Sequence, residues 1–179
     1  MTETRRSTIE LNVHGMAQLF ESLDPYPFRE RDLDRHAEEF IVGWARDLPR
    51  DHALEMVVHM PSSELQSVVV DEIAGGMKRF FAYRADGVTR DLRELFRVGR
   101  MSLLIGMVVL VACVVAAQNT EAVLGEGPFA TVTHENLIIL GWVANWRPLE
   151  IFLYEWWPVA QRRGLYRRLA AADVSLRPA

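Results

Sequence analysis

The sequence predicts a small cytosolic α/β domain, built as a β-α-β unit, followed by a long helix and a two-helix transmembrane hairpin. Three observations carry that expectation. Residues 1–100 hold charges throughout and show, in order, a period-2 segment, a period-3.6 segment and a second short apolar run. Met101–Ala117 (MSLLIGMVVLVACVVAA) has no charged residue. His134–Pro158 (HENLIILGWVANWRPLEIFLYEWWP) is a second long apolar stretch, with Arg147, Pro148 and Glu150 near its middle. Apolar stretches of this length predict membrane crossing, and charge at membrane depth is costly enough to imply a role.

The first strand is expected over Thr8–Val13, where Ile9, Leu11 and Val13 alternate with Glu10 and Asn12. Two prolines in Asp24-Pro25-Tyr26-Pro27 break the chain direction, since each lacks an N–H and biases its predecessor away from helix. Arg29–Leu48 reads as an amphipathic helix with Leu33, Ala37, Phe40, Ile41, Trp44 and Leu48 on one face. Pro49 stops it. Ala53–Met60 (ALEMVVHM) is the second strand, ended by Pro61, and Ser63 with Gln66 fits a capping box for the next helix. Parallel strands joined by a helix make a β-α-β crossover. Two strands alone bury little and leave edges open, which favours pairing with another copy or another protein.

The expected boundaries are 1–62 for the β-α-β domain, 63–100 for an amphipathic connecting helix, and 101–117 for the first transmembrane helix. An extracytoplasmic loop over 118–133, a second transmembrane helix over 134–158 and a basic tail over 159–179 follow. Met77, Phe81, Arg84, Val88, Leu92, Leu95 and Gly99 recur at three- and four-residue spacing, close to a heptad seam. The seam fits packing on the protein's own elements or a homo-oligomeric stalk. Gly75, Gly76 and Gly87 are places where that helix is weakened.

Charge sets the orientation. Residues 1–72 carry 15 Asp/Glu against 7 Lys/Arg, whereas 73–100 carry 3 against 7 and 162–179 carry 1 against 5. Basic blocks therefore flank the apolar region on both outer sides, and Gln118–Thr133 has Glu121 and Glu126 with no Lys or Arg. Lys and Arg near membrane ends stay cytoplasmic, which predicts a bacterial inner-membrane protein with both termini inside. Arg93, Arg97 and Arg100 are candidate contacts for anionic headgroups. Trp156, Trp157, Arg162 and Arg163 form a candidate interfacial anchor. The N-terminal residues lack the continuous apolar core of a signal peptide, so the first span is expected to direct insertion.

Candidate chemistry is sparse. On a regular helix Arg147 and Glu150 stand at i, i+3, and Tyr154 and Gln161 fall on the same side, giving a polar stripe. Asn145 falls on the far side. Pro148 leaves the carbonyl of Ala144 without its helical donor. Three roles fit the stripe: an ion pair that fixes helix packing, a contact with a neighbouring subunit or another membrane protein, and the lining of a water-filled path. Tyr26 and Phe28 are candidate partner contacts. The histidines show no metal-ligand spacing, no serine sits in a nucleophile-elbow context, and the glycines lack a phosphate-cradling pattern. The lone Cys113 reads as a small apolar packing residue. No catalytic residue, cofactor or metal is expected, and the acidic domain argues against nucleic-acid binding.

The segment LFESLDPYPFRERDLDRHAEEFIV, together with GWVANWRPLEIFLYEWWP, resembles an uncharacterised family of small bacterial two-span membrane proteins. The likeness covers most of the chain and implies one architecture, with no activity, substrate or catalytic residue. The expected function is a non-enzymatic membrane assembly or anchoring subunit, homo-oligomeric and held in a bilayer with anionic headgroups. The alternative is a small channel or transport component with Arg147 and Glu150 lining a polar passage.

Overall fold

The structure is a computed structural model that describes residues 6–15, 18–20, 32–62 and 70–179. Its elements in order are β1 (Arg6–Asn12), α1 (Arg35–Asp47), β2 (Ala53–Met60), the 49-residue α2 (Val70–Gln118), α3 (Thr120–Leu124) and α4 (Pro128–Val143). They continue with α5 (Trp146–Glu150), a π-helical turn over Ile151–Glu155, α6 (Trp156–Ala170) and β3 (Asp173–Pro178). The chain forms two compact units, one of residues 1–88 with 161–179 and the other of residues 89–160.

In the first unit β1, β2 and β3 form a three-stranded, wholly parallel sheet with β2 in the centre. Ile9, Met56 and Val174 stand in one row across the sheet and Leu11, Val58 and Leu176 in another. The period-2 pattern thus puts matched apolar rows on one face. Those rows pack into a core with Ile41 and Ala45 of α1, Ile73, Met77 and Phe81 of α2, and Leu169 and Ala172 at the end of α6. The strand β3 corrects two expectations. Residues 159–179 are not a tail, because they contain part of a helix and a full strand. The argument for a partner from a two-stranded sheet also weakens, since β2 has neighbours on both sides. Asp173–Pro178 (DVSLRP) has only two large apolar residues and ends in proline, so it carries little strand signal on its own.

Helix α1 begins where Asp34 accepts hydrogen bonds from the N–H groups of His36 (2.9 Å) and Ala37 (3.3 Å), a side-chain cap for donors that lack helical partners. Its buried face is Ile41, Val42 and Ala45. Phe40 and Trp44, expected inside, are 49% and 42% exposed and pack edge to face at 5.4 Å. The buried stripe is turned toward Val42 and Ala45, while Leu33, Ala37, Ile41 and Leu48 of the expected face still meet the core. The turn carrying Tyr26 and Phe28, and the Ser63–Gln66 cap, lie outside the described residues.

Helix α2 runs without a break through Gly75, Gly76 and Gly87. The expected seam holds with one change: Ala85 is buried in place of Arg84, whose guanidinium pairs with Glu38 at 2.5 Å. The expected single helix over 134–158 is instead three helical pieces and a π turn. At the first break the N–H of Asn145 donates to the carbonyl of Trp142 (3.0 Å), in place of the α-helical carbonyl of Gly141. The expected loop over 118–133 is also mostly helical, leaving Gly125–Gly127 as the connection between α3 and α4. Gly125 has φ of 77°, a conformation open mainly to glycine.

Candidate functional site

The second unit is a helical hairpin in which 89–118 of α2 packs against α4, α5 and the π turn. Small residues set how closely the helices approach. A Cβ at Gly99 would meet Ile151 at 2.9 Å, one at Gly106 would meet Asn145 Oδ1 at 2.8 Å, and one at Gly141 would meet Leu110 at 2.9 Å. Farther along, a ring nitrogen of His134 lies 2.8 Å from the carbonyl oxygen of Ala117. Gly99, Gly106, Cys113 and Thr120, all buried, follow at seven-residue intervals, so a heptad seam faces the returning chain.

Asn145 is the polar centre of the contact. It is 8% exposed, and its Nδ2 donates to the carbonyl of Gly106 (3.1 Å) and to that of Gly141 (3.0 Å). The second bond replaces the donor that Gly141 loses at the helix break. The proline-freed carbonyl of Ala144 lies against Gly106, 2.9 Å from where a Cβ would stand. Sequence reasoning missed Asn145 because a regular helix gives no reason for an asparagine to turn back onto its own broken turn.

The expected stripe is rearranged. Arg147 pairs with Glu150 at 3.2 Å, and its guanidinium also takes Glu155, with one contact at 3.3 Å. Trp146 Nε1 donates to Glu150 at 3.0 Å. Tyr154 points elsewhere and is exposed, while Gln161 accepts from Arg50 of the α/β unit at 3.1 Å. The π turn is the cause. It inserts one residue per turn, so position i+8 behaves as i+7 does in an α-helix and returns to within about 20° of i. Glu155 comes under Arg147, and the positions beyond it rotate away by about 100°.

The network stands at one end of an apolar band. Pairings of Gly99 with Ile151, Gly106 with Asn145, Leu110 with Gly141 and Ala117 with His134 fix the antiparallel level. By that register Arg147 stands level with residue 103 or 104, Glu150 with residue 101 and Glu155 with residue 96. The exposed apolar surface of α2 includes Leu104, Val108 and Val111, and that of α4 includes Ile139, Leu140 and Trp142. Just before this band Arg93, Arg97 and Arg100 are exposed on α2, and among the described residues none has an ion pair. Arg147 itself is 57% exposed and faces away from the helix contact. Trp157 is exposed, and Trp156 donates from Nε1 to the carbonyl of Phe152 at 2.9 Å. Arg162 is exposed and Arg163 half-buried in the α/β unit.

A second concavity lies within the α/β unit. It is a cleft of about 350 Å³ lined by α1, Arg84 and Tyr166. Glu38 is its hub: it pairs with Arg84 and accepts from the Tyr166 hydroxyl at 3.2 Å. Burial, and next the Glu38 charge, hold the Tyr166 phenol above its usual range. Arg35 pairs with Glu39 at 3.1 Å. Glu38 and Glu39 are thus each engaged by a cation. Among the described residues no three His, Cys, Asp or Glu side chains gather as metal ligands.

The chain matches no known family, no curated protein and no solved structure. The site is therefore read from its own geometry.

Proposed function

We propose that the chain is a non-enzymatic integral membrane subunit. Its hairpin crosses a bacterial inner membrane, anchors the α/β unit at the cytoplasmic face, and assembles with further copies of itself. The observation that carries this reading is the apolar window of α2. Over 18 residues it has mean hydropathy of 2.4, yet only 17% of the window is buried. A core helix of a soluble protein buries such a surface. The exposure of the apolar surface adds to length and composition as support for a span.

The sheet supports the hairpin topology. Strand β2 precedes the apolar region and β3 follows it, yet the two pair residue for residue from Glu55–Asp173 to Met60–Pro178. A chain that enters the bilayer between them returns to the same side, so it crosses an even number of times. The basic residues before and after the band favour that side as cytoplasmic. Met101–Gln118 spans about 27 Å at 1.5 Å per residue, close to a hydrocarbon core of about 30 Å. On that scale Arg147 lies about 5 Å inside one boundary, within reach of the interface for a long side chain.

Carbonate extraction and topology labelling test the reading. The chain should stay with the membrane pellet. A cysteine placed at Gly127 should react with an impermeant maleimide from outside, and one placed at Asp173 only after the membrane is opened. Release into the carbonate supernatant would sink the proposal. A polar passage lined by Arg147 and Glu150 is the second reading, favoured only by the outward exposure of the network. Ion flux in liposomes that disappears in Arg147→Leu would support it.

A further inference from the structure

We propose that copies of this chain associate side by side through a head-to-tail contact, in which the Arg93–Arg97–Arg100 stripe of one copy takes the Glu150–Glu155 carboxylates of the next. This rests on the membrane-assembly reading above and names the surface that performs it.

Both patches belong to the hairpin and stand at one level. Glu150 is level with residue 101 and Glu155 with residue 96, the stretch of α2 that holds Arg97 and Arg100. Arg93, Arg97 and Arg100 follow at i, i+4 and i+7, so they share a face. They lie about 100° to 160° round the helix from Gly99, the residue that meets Ile151. They lie to the side of the contact with the returning chain, and among the described residues no ion pair joins them to Glu150 or Glu155.

The charges are complementary. The stripe carries three cations with no partner among the described residues. The opposing patch has two carboxylates and one guanidinium, net −1, because Arg147 is shared between Glu150 and Glu155. A patch of net negative charge repels anionic headgroups and attracts a cation at its own depth. The neighbouring apolar surface gives little direction to packing within lipid, where tails are as apolar as leucine. Polar groups at the band's edge are left to choose the partner and its register. In the proposed head-to-tail arrangement each copy gives its stripe to one neighbour and its carboxylates to another, and copies close into a ring or continue as a file.

Charge reversal tests this with full-length protein in nanodiscs, measured by native mass. Glu155→Arg, and the double change Arg97→Glu with Arg100→Glu that brings the stripe to net −1, should each reduce the wild-type assembly to monomer. An equimolar mixture of the two should reassociate as alternating copies, since every contact between unlike copies then pairs opposite charges. That rescue also shows that each variant folds. The milder Glu155→Gln should weaken association about tenfold, more steeply at low salt. Variants that stay assembled alone overturn the contact and leave self-assembly standing. So does a mixture that fails to reassemble while both variants keep wild-type helicity, which would assign the stripe to lipid headgroups. A wild-type chain that is monomeric at every concentration would instead remove the assembly reading beneath it.

Discussion

Asn145 donates its side-chain N–H to the backbone carbonyl of Gly106 across the hairpin, at 3.1 Å. The glycine is what makes this possible, since a Cβ there would lie 2.9 Å from the carbonyl oxygen of Ala144. Backbone cannot yield as a flexible side chain does. Gly106→Ala should therefore destabilise the hairpin by about 1–3 kcal/mol through overpacking. Asn145→Leu should cost about 1–2 kcal/mol, because the carbonyl of Gly141 loses its replacement donor. Unfolding of the two single variants and the double variant in micelles checks this. The double should cost less than the sum, as both changes break one contact.

The rotated face of α1 gives a second expectation. Ile41 is fully buried and Phe40 is not. Ile41→Ala should cost about 2–4 kcal/mol, whereas Phe40→Ala should cost about 1 kcal/mol or less, the loss of its edge-to-face contact with Trp44. Thermal unfolding of the two variants compares them directly. Equal losses would restore the face that simple periodicity predicts.

Tyr166 gives a pH signature. Its phenol is held above the usual range by burial first and the Glu38 charge second. The unfolded chain releases this proton near pH 10 and the folded chain at higher pH. The contribution to stability is therefore complete below about pH 10 and is lost as pH rises through the folded value. Tyrosine-selective NMR titration should show the Tyr166 resonance ionising above the usual phenol range. Glu38→Gln should bring that resonance back toward the ordinary value, because it removes the neighbouring charge. Tyr166→Phe should cost about 0.5–1.5 kcal/mol at neutral pH.

The third strand predicts the effect of a short truncation. Deleting residues 173–179 exposes one edge of β2 and removes Val174 and Leu176 from the margin of the core. Amides of Met56 and Val58, which share the β3-facing edge with the Met60 carbonyl, should then exchange with solvent much faster, and the truncated protein should be the more prone to aggregate. Hydrogen exchange on the full-length and shortened chains measures both. Unchanged protection of β2 would mean that β3 adds nothing to the sheet.

These cases mark where the amino-acid pattern speaks. Alternation in ALEMVVHM predicts β2 with its observed ends, because both neighbours and the core reinforce every second residue. The Arg147–Glu150 pair is legible because i, i+3 is a local rule. Glu155 is not, since its place depends on one π turn whose register no local spacing declares. Strand β3 escapes notice because its residues gain strand character only from β2 beside them. Arg84 falls at a seam position by count, but Glu38, 46 residues earlier, pulls the charged side chain out and lets Ala85 turn in. What is local was readable, and what depends on distant segments was not.

The pairing of β2 with β3 also has a consequence in time. Asp173–Pro178 leaves the ribosome only after both apolar stretches have been made, so in the proposed membrane topology the α/β unit stays incomplete while they are being inserted. Its first two strands must wait with an open edge beside the translocation machinery, a state open to mispairing. Closure of the sheet then reports that the hairpin has gone in and come back. On the same proposed topology, a chain whose second stretch fails to return leaves its α/β unit unfinished, with a strand edge exposed to quality-control proteases.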